Sequence, residues 1–124
     1  MKIEVLYPEI CCLFGDKANM RYFEMCLPQA EFIKTPVSEM PRFLTEDVDM
    51  VYFGSCSESN QEKILSRLKD HKARIEELIE KGVIFLMTGN SFEMMGSWVP
   101  ETTAHWSLLS ALALQCMVGR AERR

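Results

Sequence analysis

Two short runs constrain this chain more than anything else in it. Asp49 to Gly54 (Asp-Met-Val-Tyr-Phe-Gly) and Val83 to Met87 (Val-Ile-Phe-Leu-Met) are apolar almost throughout. A strand with one wet face alternates polar and apolar residues, whereas an unbroken apolar run marks a strand buried on both faces. Between them, Gln61 to Lys81 places Ile64, Leu65, Leu68, Ile75, Leu78 and Ile79 on one face of an amphipathic helix. Two such strands joined by a helix make a parallel β-α-β unit. The polar quartet Lys69 to Lys72 is a place where this helix, expected over 60–81, can break. Ser57 or Ser59 is its expected cap, and Gly82 its C-terminal stop.

The upstream half repeats the alternation. Lys2 to Leu6 alternates polar and apolar residues and reads as a strand. Lys17 to Leu27 has Met20, Phe23 and Leu27 at helical spacing, with Asp16 as its expected N-cap and Pro28 beyond its end. Glu31 to Lys34 reads as a strand, and Thr35 to Glu46, with Pro36 and Pro41, as loop. After Thr88-Gly89-Asn90, a turn, Ser91 to Met95 begins a further helix. The expected fold is α/β, a three-layer α/β/α arrangement with a parallel sheet. Ligands of such sheets bind beyond the carboxyl ends of the strands. Three loops lie there: Tyr7 to Asp16, Gly54 to Glu58, and Thr88 to Ser91.

Composition excludes several function classes. The net charge of −4 gives no electrostatic footprint for nucleic acid. No apolar run approaches the ~20 residues of a membrane span, and the first residues lack a signal peptide's apolar core. A cytoplasmic protein is therefore expected. The five cysteines are odd in number and form no CxxC, and His71 and His105 have no ligand spacing. Reduced thiols are expected, with no metal and no cofactor. The nine methionines fall in no repeated ligand spacing and read as pliable core.

Three segments together resemble the N-terminal half of a class I glutamine amidotransferase domain. The first is Leu13 to Asn19 (Leu-Phe-Gly-Asp-Lys-Ala-Asn), similar to the Leu-Tyr-x-Asp-x-Gly-Asn opening of the amidotransferase subunit of lipid II isoglutaminyl synthase. The second is Asp49 to Gln61, similar to the family's strand, Gly-rich oxyanion loop and following Asp/Glu-x-x-Gln. The third is Gly82 to Gly96, a strand followed by Thr-Gly-Asn-Ser-Phe-Glu-Met-Met-Gly from Thr88, similar to the nucleophile elbow, Cys-Gly-Gly-Tyr-Gln-x-x-Gly in active members. The order and spacing of the three point to the cobyric acid synthase and isoglutaminyl synthase type, with its flavodoxin-like fold.

The resemblance implies where chemistry would sit. Active members form a thioester with glutamine and pass ammonia to an ATP-dependent ligase or synthase partner. That needs a thiolate on a sharp turn, backbone N–H groups facing the oxyanion, and a histidine oriented by a carboxylate. Here the nucleophile position is Gly89, which has no side chain to react. Asn90 and Ser91 replace the next glycines, and Glu93 replaces the Gln. In the oxyanion-like loop Gly54 is kept, while Ser55 and Cys56 stand where glycines are usual. Asp16, Asn19, Gln61 and Glu93 are the candidate ligand contacts, against helix-capping roles for Asp16 and Ser91 and favourable charge placement near a helix N-terminus for Glu93. Cys56 as a relocated nucleophile is weighed against a structural thiol, and Thr88 and Ser91 have no base in view.

The expectation is thus a degenerate amidotransferase-like domain over 1–96, without glutaminase activity. Residues 97–124 form an atypical tail. The histidine-bearing half is missing, so the chain reads as C-terminally truncated. Read in another frame, back-translation of Trp98 to Leu112 permits a family-like continuation, which would make the tail a frameshifted end. A chain so shortened is expected to pack its tail poorly and to self-associate through its apolar surface and strand edge. Two alternatives stand beside this: a flavodoxin-like anion- or small-molecule-binding module built on Gly54 to Ser57, and a non-functional product of a broken gene.

Overall fold

A computed structural model describes residues 1–95 of the chain. Four strands, β1 (Lys2–Leu6), β2 (Glu31–Thr35), β3 (Met50–Phe53) and β4 (Ile84–Met87), form one sheet in the order β2-β1-β3-β4. Every pairing is parallel. Ile3 stands opposite Phe32 and Met50, and Met50 opposite Ile84.

Three helices, α1 (Asp16–Cys26), α2 (Glu58–Leu68) and α3 (Lys72–Glu80), connect the strands. Parallel strands need crossovers, and right-handed ones place the helices according to the direction in which the sheet grows. From β1 the chain steps outward to β2; from β3 it steps the opposite way to β4. The helices accordingly cover opposite faces. Met20 of α1 packs with Ile3, Val5, Met50 and Tyr52. On the other face Ile64, Leu65 and Leu68 of α2 and Ile75 and Leu78 of α3 pack with Leu6, Val51 and Phe53. The expected α/β architecture with a parallel sheet between helices is present.

The local corrections have physical causes. The expected 60–81 helix is interrupted at the polar quartet, where Lys69–His71 form a 3-10 turn between α2 and α3. Ser57 caps α2, its Oγ accepting from the Asn60 N–H at 3.3 Å. Gly82, with φ +93°, closes α3 in a Schellman arrangement. Its N–H donates to Ile79 O, and the Val83 N–H to Leu78 O. Asp16 does not cap α1: Gly15, in the left-handed region, precedes the helix, and Asp16 is its first residue. The 35–46 segment contains a 3-10 turn at Arg42–Leu44, and Gly89–Met95 is likewise 3-10 and not the start of an α-helix.

Two burial expectations fail. The alternation in β1 suggests a solvated Glu4, yet Glu4 is fully buried. Its carboxylate accepts from Thr35 Oγ1 (2.6 Å) and from the N–H groups of Arg42 (2.7 Å) and Phe43 (2.8 Å). It thus anchors the β2–β3 connection onto the sheet. Conversely β4, expected to be buried on both faces, is only partly covered, with Ile84 37% exposed. It is the outer strand of the described sheet, and α1 lies over the opposite half. The 97–124 tail, with Trp98, His105 and Cys116, lies outside the described residues, as does Gly96.

Candidate functional site

The direction of chain growth reverses between β1 and β3, so the crevice beyond their carboxyl ends is the natural ligand position in this topology. Two of the three predicted loops meet there, those after β1 and β3, and the elbow after β4 adjoins them. The Leu13 N–H donates to Ser55 O at 3.2 Å. A Cβ on Gly54 would stand 2.1 Å from the Cys11 carbonyl oxygen and 2.9 Å from Asp16 Cγ. Glycine is required at 54 because two backbones touch, whatever chemistry the loop performs.

Asp16 is the hub of this crevice. It is 2% exposed. Its carboxylate accepts from Thr88 Oγ1 (2.6 Å), Tyr52 Oη (2.9 Å) and the Ser55 N–H (3.0 Å). Asn19, itself exposed, joins at one remove, its Nδ2 donating to Tyr52 Oη at 3.3 Å. Burial acts to raise the Asp16 pKa, but hydrogen bonds from Thr88, Tyr52, Ser55 and Phe14 outweigh it and hold the carboxyl below its ordinary value. Burial raises the Tyr52 pKa, so the phenol stays protonated and donates.

The elbow is a strand–turn–helix. The Thr88 N–H extends the β3–β4 ladder to Phe53 O. Gly89 then turns with φ +57°, and the 3-10 segment follows. A Cβ on Gly89 would lie 2.2 Å from Ser55 Oγ and 3.1 Å from Ser55 Cβ. The side-chain direction at 89 therefore points at the oxyanion-like loop, and the Ser55 hydroxyl fills the room a side chain would need. Ser55 is buried there, its Oγ hydrogen-bonded to Thr88 O at 3.3 Å.

Asn90 clamps the same loop. Its Oδ1 accepts from the Cys56 N–H (3.1 Å), and its Nδ2 donates to the Cys56 carbonyl. Gln61 Nε2 donates to Asn90 O at 2.5 Å. Gln61 is fully buried, and its Oε1 has no partner among the described residues. Ser91 is not a cap. Its buried Oγ lies 2.6 Å from Thr88 O and 3.0 Å from Phe53 O, so its single proton is shared between these two carbonyls and closes the elbow onto the end of β3.

Of the predicted site residues, Gly54, Ser55, Cys56, Gly89, Asn90, Ser91, Asp16 and Gln61 thus come together, and Asn19 borders them through Tyr52. Glu93 is exposed on the 3-10 segment and takes no part in this cluster. The consequence for chemistry is direct. An oxyanion hole needs free N–H groups. The Ser55 N–H is taken by the Asp16 carboxylate and the Cys56 N–H by Asn90, and the ionised Asp16 repels a second anion. Among the described residues the one imidazole is His71. It lies beyond the far end of α2, whose 11 residues span about 16 Å.

Sequence reasoning missed two partners. Tyr52 sits in an apolar strand, but its hydroxyl needs a hydrogen bond when buried, which is a readable signal. Cys11 carries no such signal, yet it is buried in the same core cluster as Cys56, its carbonyl oxygen packed against Gly54. No protein-family model matches the chain, and no curated protein matches it.

Proposed function

We propose that this is a degenerate amidotransferase-like domain that does not hydrolyse glutamine. The observation that carries the reading is Gly89. It occupies a strand-to-helix turn at φ +57°, aims its absent side chain at the 54–56 loop, and follows the last described strand. A nucleophile elbow needs that sharp turn to hold its reactive atom clear of the sheet. Here the turn persists without the atom. The sealed loop supports the same reading, with Ser55 in the vacated space and Asp16 and Asn90 on the N–H groups. It also weighs against the anion-binding alternative, which draws on the same donors. An ATP-dependent ligase or synthase as partner follows from the resemblance and belongs to this proposal. Self-association also belongs to it. The β2 edge carries Glu31 and Lys34, whereas Ile84 to Met87 of β4 bear no charge.

Chemical labelling tests the proposal. Ser55→Gly/Gly89→Cys restores both the thiol and its room. A glutamine analogue with an electrophilic diazoketone side chain is expected to label the introduced thiol of this variant faster than a diazoketone lacking the amino-acid group. Equal rates for the two reagents contradict a residual glutamine site.

A further inference from the structure

The outer faces of the three helices differ. The exposed residues of α2 are all polar or charged, and those of α3 are Ala73, Glu77 and Glu80. Helix α1 buries Asp16 and Met20 and turns Ala18, Tyr22, Met25 and Cys26 outward. At about 3.6 residues per turn, Ala18, Tyr22 and Met25 form one stripe on the side opposite Met20. Tyr22 is 66% and Met25 73% exposed. The Tyr22 ring stands edge-on to Phe23, centroids 6.4 Å apart, and Phe23 packs against the cluster of Met20 and Tyr52. One flank of the stripe is charged, with Lys17 and Arg21 exposed and Glu24 half-buried. Lys17 and Arg21 make no ion pair among the described residues, and Glu24 meets the exposed Lys34 at 3.5 Å.

We infer that this stripe is the contact between two copies of the chain, packed α1 against α1 in antiparallel fashion about a two-fold axis. The inference does not rest on the amidotransferase-like reading, and it uses a different surface from the β4 edge. A two-fold contact must complement itself. With the axis passing between Arg21 and Tyr22, Ala18 of one copy faces Met25 of the other, small against large, as interdigitating helices require. Tyr22 faces the other copy's Arg21, a ring against a guanidinium.

The charges fix the direction. The rotation brings like flanks together with their order reversed. Glu24 of one copy then falls between Lys17 and Arg21 of the other, about 3 Å along the axis from each at a rise of ~1.5 Å per residue. A parallel pairing sets this flank against Asn19 and Cys26 and leaves the charges unmatched. A single helix pair buries less than the roughly 800 Å² per partner of a standard interface, so the dimer is weak and concentration-dependent.

Sedimentation of the full chain under reducing conditions, over a concentration series, tests this. The dimer fraction of the wild type is expected to grow with concentration. Tyr22→Glu and Met25→Glu, both at exposed positions, are expected to weaken dimerisation roughly tenfold or more. Glu24→Lys alone, and Lys17→Glu/Arg21→Glu alone, weaken it likewise by setting like charges together. An equimolar mixture of these last two chains is expected to recover dimerisation, because every pair is again opposite in sign. Circular dichroism verifies the fold of each variant. A wild-type chain that is monomeric throughout the series overturns the inference; if its Cys26 also resists alkylation, residues 97–124 cover the stripe instead. A dimer indifferent to both charge reversals, or a mixture that stays monomeric, overturns it too and moves the contact to another surface, such as the β4 edge.

Discussion

Asp16 shows how one residue can close a site. A buried carboxylate without a cation is costly unless hydrogen bonds replace its hydration. Thr88, Tyr52 and Ser55 supply them from three different segments. Asp16→Ala strands two buried donors, the Tyr52 hydroxyl and the Ser55 N–H, and frees the half-buried Thr88 hydroxyl, and is expected to cost about 2–4 kcal/mol by chemical denaturation. The folded-state pKa is depressed, so the unfolded chain binds the Asp16 proton more readily near pH 4. The stability Asp16 contributes is complete above about pH 4 and is lost as pH falls through the lower folded value. A denaturation series from pH 7 to pH 2 should thus show a shallower acid limb for Asp16→Asn than for wild type. Gly89 is the second residue of consequence. Gly89→Ala meets both a left-handed backbone and the Ser55 hydroxyl, and is expected to lose about 2 kcal/mol or more. In a Ser55→Gly background only the backbone part should remain, so a double-mutant cycle should report coupling of about 1 kcal/mol.

Among the elements, those written in periodicity were legible and those set by neighbours were not. The two apolar runs, the amphipathic stretch between them and the Gly82 stop gave β3, β4, α2, α3 and their parallel arrangement. Gly82→Ala tests the stop in isolation. Nothing lies within 4 Å of a Cβ built there, so the expected cost is the left-handed backbone alone, about 1 kcal/mol in melting experiments. Burial was misread where tertiary context overrides pattern. Glu4 looked like the wet face of β1 because its partners, the Arg42 and Phe43 N–H groups, belong to a 3-10 turn that no periodicity announces. The run in β4 looked doubly buried because apolarity says what a strand tolerates, not whether a layer covers it. The candidate site was legible by position, since all three loops follow strand ends. Its wiring was not. That Asn90 would reach back to Cys56, or Asp16 across to Thr88, depends on loop paths that single residues do not encode.

At the scale of the whole molecule, the four-stranded sheet keeps the crevice that its reversal of direction creates, and the N–H groups of the loop after β3 that line it are taken up internally. Ser55, Asp16, Asn90, Cys11 and Cys56 meet where a ligand of such a fold would sit, and the elbow after β4 contributes Gly89 with no reactive atom. On the proposed amidotransferase-like reading, the absence of a nucleophile at Gly89 and the engagement of the loop N–H groups are independent defects, and catalytic groups acting as a unit do not compensate for one another. The assay that tests this most directly is ammonia release from glutamine by wild type, Gly89→Cys and Ser55→Gly/Gly89→Cys, with folding verified for each. No release above the uncatalysed background is expected from any of the three. Turnover by the wild-type chain contradicts the account, and its abolition by Cys56→Ala would identify the nucleophile as the cysteine assigned here to the core.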